Sequence, residues 1–93
     1  MKKFEIKVSY RIYFMYEKIT GKSFPEKPML MDWSVLMYAC YLGTDDTVTF
    51  DQFIDLLDAE PTRLNDFIIE FVKKAEVFGQ SGEEKKKKVK VKN

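Results

Sequence analysis

The stretch MLMDWSVLMYACYLG, residues 29–43, decides the fold of this chain, because its apolar residues cover nearly every side of a helix. Asp32 or Ser34 can cap the start of that helix, and Gly43 can end it. A helix that is apolar all round is normally covered by other elements on several sides. We therefore expect this helix to lie at the centre of the domain, or else to keep one face for another protein.

A further helix is predicted on the amino-terminal side of this central one, over the sequence YRIYFMYEKIT. Ile12, Tyr16 and Ile19 recur there at helical spacing, which indicates one apolar face. Ser9 is placed to cap the start, and Gly21 is placed as the residue that ends the helix. The segment GKSFPEKP that follows contains Gly and two Pro, and it predicts a loop.

Two more helices are predicted on the carboxyl side. In TVTFDQFIDLLDAEP a narrow apolar stripe predicts a helix that Pro61 terminates. The segment PTRLNDFIIEFVKKAEVF has the clearest helical periodicity in the chain. The residues of the first stripe are Phe53, Leu56 and Leu57, and those of the second are Leu64, Phe67, Ile68, Phe71, Val72 and Ala75.

The first residues have a different pattern, because apolar and charged residues alternate strictly in KFEIKV. Phe4, Ile6 and Val8 would share one side, which predicts a short, half-buried β-strand. A single strand needs a partner, either in another subunit or in the KVKVK segment near the carboxyl end. The predicted fold is therefore mainly α, a small four-helix domain with a short N-terminal β-strand that would give it a minor α+β character.

The charge divides the chain into two parts. Residues 1–81 have ten basic and thirteen acidic side chains, whereas residues 82–93 have six lysines and two glutamates. We expect a single globular helical domain over residues 1–80 and a basic, disordered tail over residues 81–93. Such a tail could bind nucleic acid or anionic lipid, but it has no aromatic residue to stack on bases, and the rest of the chain is acidic. We therefore expect neither nucleic acid nor a membrane as a partner.

Composition excludes several kinds of chemistry. The chain has no histidine and one cysteine, which rules out the usual zinc sites, histidine-based triads and an intrachain disulfide. No apolar run approaches the roughly 20 residues of a membrane-spanning helix. We expect a soluble, cytoplasmic protein that is not an enzyme and has no catalytic residue, cofactor or metal.

The stretch GTDDTVTFDQFIDLLD, residues 43–58, resembles half of an EF-hand, but its register is unsuitable. With Val48 at position 8 of the loop, only Asp45 is a carboxylate at a chelating position. Asp46 stands where glycine is required, and Gln52 replaces the bidentate glutamate. A capping box, in which Thr49 and Gln52 bond reciprocally, explains the same residues better.

Taken in order, these segments resemble the tail assembly chaperones of long-tailed bacteriophages and prophages. In that family a short extended start is followed by a helix with a Glu-x-x-Thr-Gly-Lys-like end, matched here by YEKITGKSF with Glu17, Thr20, Gly21 and Lys22. An apolar helix of the type VLMYACYLG, a segment of the type TVTFDQFIDLLD and an amphipathic helix follow. The resemblance covers residues 4–78.

The resemblance implies a non-enzymatic protein that binds the tape measure protein, assists assembly of the tail tube protein around it and is absent from the mature virion. Separately from the resemblance, pairing of the predicted N-terminal strand with another subunit would make the chain a homo-oligomer. An apolar client requires an adaptable apolar surface, and one stretch offers it. The candidate protein-binding residues are Met29, Leu30, Met31, Trp33 and Met37.

Two alternatives from other classes stay open. The chain could be a generic protein-interaction domain, unrelated to phage, that uses the same apolar helices. It could also be a degenerate EF-hand-like or other ligand-binding module. The neighbouring genes separate the first from the phage interpretation, and a calcium titration tests the second.

Overall fold

The computed structural model describes the backbone of residues 1–92 and the side chains of residues 1–78. It contains four helices in chain order: α1, Tyr10–Thr20; α2, Leu30–Tyr41; α3, Phe50–Ala59; and α4, Arg63–Lys92. The prediction of a mainly α, four-helix domain is confirmed. No helix in the described part of the chain is both long and apolar enough to cross a membrane.

Helix α2 lies at the centre, in contact with α1, α3 and α4. Most of its side chains are buried, as expected for a helix that is apolar on nearly every side. The other helices each cover it with a narrower stripe of large residues. These are Ile12 and Tyr16 from α1, Phe53 and Leu57 from α3, and Phe67 and Phe71 from α4.

The predicted cap of α2 is wrong in position. The helix begins at Leu30, so Asp32 and Ser34 lie inside it rather than before it. The carboxylate of Asp32 accepts a hydrogen bond from the backbone N–H of Met29 at 2.8 Å, which compensates for one of the unpaired donors of the first turn. Ser34 donates back to the carbonyl of Leu30 at 2.9 Å. Asp32, the third residue of the helix, therefore makes the backbone hydrogen bond that was expected of a residue before the helix.

Both ends of α1 and the start of α3 follow the predicted chemistry. The backbone N–H of Ile12 donates to Ser9 Oγ at 3.4 Å at the start of α1. Gly21 ends α1 with φ of 75°, in the left-handed region that glycine tolerates. At the start of α3, Thr49 and Gln52 form the predicted capping box, with N–H to side-chain oxygen distances of 3.0 and 3.2 Å.

The predicted N-terminal strand is wrong, because residues 1–92 contain no β-strand. The alternation itself is present, since Phe4, Ile6 and Val8 are half-buried while the charged residues that alternate with them, Lys3, Glu5 and Lys7, are exposed. The apolar side of the segment packs on the helices, which cover Phe4, Ile6 and Val8 without a second strand. The Lys74 ammonium donates to the backbone carbonyl of Ile6 at 3.0 Å in place of a ladder bond.

Along α4 the predicted stripe is buried to different degrees. Phe67 and Phe71 are buried, Leu64, Ile68 and Ala75 are half-buried, and Val72 is 39% exposed. The side chains after Phe78 and the whole of residue 93 lie outside the described residues. The boundary between a domain of residues 1–80 and a disordered tail of residues 81–93 stays a prediction. The KVKVK segment, residues 88–92, belongs to α4 and forms no strand, so its predicted pairing with the first residues is wrong.

Candidate functional site: an apolar surface at the start of α2

The predicted protein-binding residues separate into three groups. Met29, Leu30 and Met31 are 72%, 70% and 62% exposed and form a contiguous run, which we call the α2 patch. Trp33 is half-buried. Met37 is 1% exposed and belongs to the core, so it is not available to a partner in this structure. Binding by the remaining residues stays a prediction.

The α2 patch stands on a buried polar contact. The hydroxyl of Tyr16 donates to Asp32 Oδ1 at 2.6 Å, and Lys22 Nζ lies 3.5 Å from the same oxygen. The hydrogen bonds from Tyr16 and from the backbone N–H of Met29 hold the pKa of Asp32 below its ordinary value. Burial, together with the hydrogen bond to Asp32, raises the pKa of Tyr16 to about 12. The buried hydrogen bond between Tyr16 and Asp32 therefore fixes the first turn of α2 to α1, while the apolar side chains of the α2 patch stay exposed.

The segment Thr20-Gly21-Lys22, which carries part of the family resemblance, has a structural role here. Thr20 Oγ1 donates to the carbonyl of Tyr16 at 2.9 Å and accepts from the backbone N–H of Lys22 at 3.3 Å. Gly21 reverses the chain direction, and the Lys22 side chain then reaches Asp32. The motif ends α1 and joins that end to the start of α2.

A groove of about 500 Å³ lies beside the α2 patch, and we call it the aromatic groove. Trp33 lines it, and so does Pro28, which directly precedes the patch. Its remaining lining comes from α1, α4 and the loop between α1 and α2: Tyr13, Phe24, Pro25, Glu26, Phe71, Val72, Ala75 and Glu76. Patch and groove together give an apolar surface to which α1, α2 and α4 all contribute.

A second exposed aromatic group lies where the start of α1 meets α4. Tyr10 stacks on Phe14 with ring centroids 6.1 Å apart and meets the edge of Phe78 at 5.6 Å. Tyr10 and Phe14 are 67% and 62% exposed. They lie on the side of α1 that faces away from its buried residues, Ile12 and Tyr16.

In the loop that resembles half of an EF-hand, the carboxylate of Asp45 is bonded to other residues of the chain. Asp45 Oδ1 accepts hydrogen bonds from the backbone N–H and the hydroxyl of Thr47, at 3.1 and 2.6 Å. Its other oxygen lies 3.3 Å from Lys2 Nζ. These contacts hold the pKa of Asp45 below its ordinary value. Among the residues that the structure describes, no group of three or more potential metal ligands comes together.

Sequence reasoning missed most of the groove. Tyr13 and Phe71 belong to helical stripes that predict burial, and nothing in their spacing indicates that they meet beside Trp33. Phe24 offered the one available signal, since a large aromatic residue between Gly21 and Pro25 is unusual for a solvated loop. Its half-buried ring packs on Tyr16 at a centroid distance of 5.1 Å, which fixes the loop against α1.

Because comparison with known proteins found no match, the functional interpretation depends on the features described above. No protein-family model, curated protein or solved structure matches this chain. The resemblance to tail assembly chaperones therefore depends on the order and spacing of the motifs, and the functional argument depends on the exposed surface.

Proposed function

We propose that this chain is a non-enzymatic assembly chaperone of the phage or prophage tail type, which binds apolar helices of a tape measure protein and assists tail tube assembly in the bacterial cytoplasm. The observation that carries the proposal is the α2 patch, in which three consecutive large apolar side chains are each more than 60% exposed. Contiguous apolar surface of this kind is typical of a site that another protein covers.

The chemistry of the patch suits a changing client. Methionine is flexible and polarisable, so Met29 and Met31 can adapt to different apolar surfaces on either side of Leu30. Full burial of three such side chains contributes on the order of 5 kcal/mol, from which the cost of association is subtracted. The resulting binding is weak and reversible, as required of a partner that leaves the assembled product.

The same surface would serve a generic protein-interaction domain, which is the second candidate. The genes on either side separate the two. A neighbouring gene for a very long, predominantly helical protein supports the chaperone proposal, and the absence of such a gene favours the generic domain.

The direct test is co-expression with that long neighbouring protein, with measurement of its soluble and pelleted fractions. The wild-type chain should keep the client soluble, and the triple variant Met29→Gln, Leu30→Gln, Met31→Gln should fail to do so. The matched control replaces three exposed apolar residues outside the patch and groove, Ile19, Ile69 and Val77, by Gln. Equal client solubility with both triple variants would contradict a role for the α2 patch.

A further inference from the structure

Four aromatic side chains in the groove form a closed circuit of ring contacts. The ring centroids of Tyr13 and Phe24 are 6.0 Å apart, and those of Phe24 and Trp33 are 5.3 Å apart. Phe71 closes the circuit, 5.9 Å from Trp33 and 6.2 Å from Tyr13. Adjacent rings are inclined by 57° to 82°, and three of the four contacts are edge-to-face. Phe71 is buried, whereas the other three rings are half-buried and accessible from the groove.

The charged residues of the groove all have one sign. Glu26 on the loop and Glu76 on α4 line it, and both are exposed. No basic side chain of the described residues lines it, since Lys27, the neighbour of Glu26, is absent from its wall. An aromatic surface whose lining includes two glutamates is attractive to a cation, because the ring faces and the carboxylates both carry negative potential.

We propose that the aromatic groove receives an arginine side chain of the partner protein. The inference rests on the proposed function, in which the α2 patch covers the apolar face of a client helix, and it adds the residue type that the client must carry beside that face. Cation–π attraction acts within about 6 Å of a ring centroid, so a side chain that lies in the groove against the half-buried Tyr13, Phe24 or Trp33 is within this range.

Arginine fits this groove better than lysine for a physical reason. Its guanidinium group is planar and stacks on aromatic faces. It is also more weakly hydrated than an ammonium group, so that it loses less hydration free energy on leaving water. Its several N–H donors can also reach carboxylates at the edge of the groove while the plane lies on a ring. A lysine ammonium is a compact and strongly hydrated charge, and it gains less from the rings.

The test uses the purified full chain and the fluorescence of Trp33, the only tryptophan in the sequence. The probes are three synthetic amphipathic helices that are identical except for one residue beside the apolar face: arginine, lysine or glutamine. We expect the arginine peptide to bind roughly tenfold more tightly than the glutamine peptide, with the lysine peptide between them. Equal affinity for the arginine and glutamine peptides would overturn the proposal.

Variants of Glu26 and Glu76 test whether the preference for the arginine peptide arises in the aromatic groove. The double variant Glu26→Gln, Glu76→Gln should reduce the preference for arginine over glutamine to about twofold or less, because the side chains keep their shape and lose their charge. The control Asp55→Asn, Asp58→Asn removes the same charge from exposed positions on α3 and should keep the preference. An equal loss in both double variants would show that net charge, rather than the groove, attracts the peptide, and it would overturn the assignment.

The two proposals fail separately. If the arginine preference is absent while the chain still keeps its client soluble, the groove inference is wrong and the chaperone proposal stands. If the preference is present and lost in the Glu26 and Glu76 variant, but co-expression has no effect on the client, the groove binds arginine and the chaperone proposal is wrong.

Discussion

The hydroxyl of Tyr16 donates a 2.6 Å hydrogen bond to Oδ1 of Asp32, and both side chains are buried between α1 and α2. Asp32 also accepts from the backbone N–H of Met29, so one carboxylate joins the middle of α1 to the first turn of α2. This contact lies in the first turn of α2, to which the exposed Met31 belongs and which the exposed Met29 directly precedes.

Replacement of Tyr16 by Phe should lower the free energy of unfolding by about 1–2 kcal/mol at neutral pH, because the carboxylate of Asp32 loses its buried donor. Chemical denaturation followed by circular dichroism measures this loss. The control Tyr10→Phe removes a hydroxyl from an exposed ring and should have no measurable effect. Equal stability of the Tyr16 variant and the wild type would contradict the structural role of the contact.

The difference in stability between wild type and Tyr16→Phe should also depend on pH. The folded-state pKa of Asp32 is lowered, so its contribution is present above its ordinary pKa and is lost as the pH falls through the folded value. The pKa of Tyr16 is raised to about 12, so its contribution is present below its ordinary pKa and is lost as the pH rises through about 12. Unfolding curves of the two proteins should therefore converge at both extremes, and a constant difference would contradict the assignment.

Replacement of Phe4 by Ala should destabilise the fold by about 2–3 kcal/mol, because the half-buried ring would leave a gap between two helices. The ring of Phe4 meets that of Tyr41 at a centroid distance of 5.4 Å and that of Phe67 at 6.5 Å. Thermal unfolding checks the prediction, with the exposed neighbour Glu5→Ala as the control. A near-neutral Phe4 variant would mean that the extended segment does not dock in solution.

Replacement of Gly21 by Ala should cost about 1 kcal/mol of stability, since an L residue is strained at positive φ. A Cβ added there meets no atom within 4 Å, so the cost comes from the backbone alone. Gly21→Asn, which tolerates the left-handed region better, should lose less. Denaturant titration of the three proteins should give the order Gly, Asn, Ala, and a more stable Ala variant would contradict it.

Calcium should neither bind to the loop at Asp45 nor change the melting temperature. The carboxylate of Asp45 is already engaged by Thr47 and Lys2, and the EF-hand ligand set is incomplete. Calorimetric titration with calcium chloride, with magnesium chloride as the comparison, checks this. A saturable heat specific to calcium would restore the EF-hand-like interpretation.

The thiol of Cys40 should react slowly in the native protein. Burial raises its pKa to about 11 from the ordinary value of 9.0, which alone reduces the thiolate fraction about 100-fold near neutral pH. A disulfide reagent added with and without denaturant measures the two rates. A native rate close to the denatured rate would show that α2 opens readily around Cys40.

Local chemistry made much of the fold predictable. Ser9, Gly21 and the Thr49–Gln52 capping box end or begin helices where the sequence indicates, because each acts on its own backbone neighbours. The prediction of an N-terminal strand was wrong, because the alternation of apolar residues indicates which side of the segment is buried and not which element covers that side. Helices, rather than a second strand, cover Phe4 and its neighbours here.

The candidate site was only partly predictable for a related reason. Hydrophobicity alone cannot separate the exposed Met31 from the buried Met37, since both are methionines on the same helix. Their difference arises from which side of α2 the other helices cover. The aromatic groove depends on contacts between residues far apart in the sequence, such as Tyr13 and Phe71, and no local pattern records such contacts.

The docking of the first residues on α4 has a consequence during synthesis on the ribosome. Ile6 accepts its hydrogen bond from Lys74, 68 residues later, and the ring of Phe4 reaches Phe67. This segment leaves the ribosome before α4, and its binding surface is complete only when α4 has emerged from the exit tunnel. Until then its apolar residues are only partly covered in the nascent chain, and helices α1 and α2 can pair before this segment closes over them.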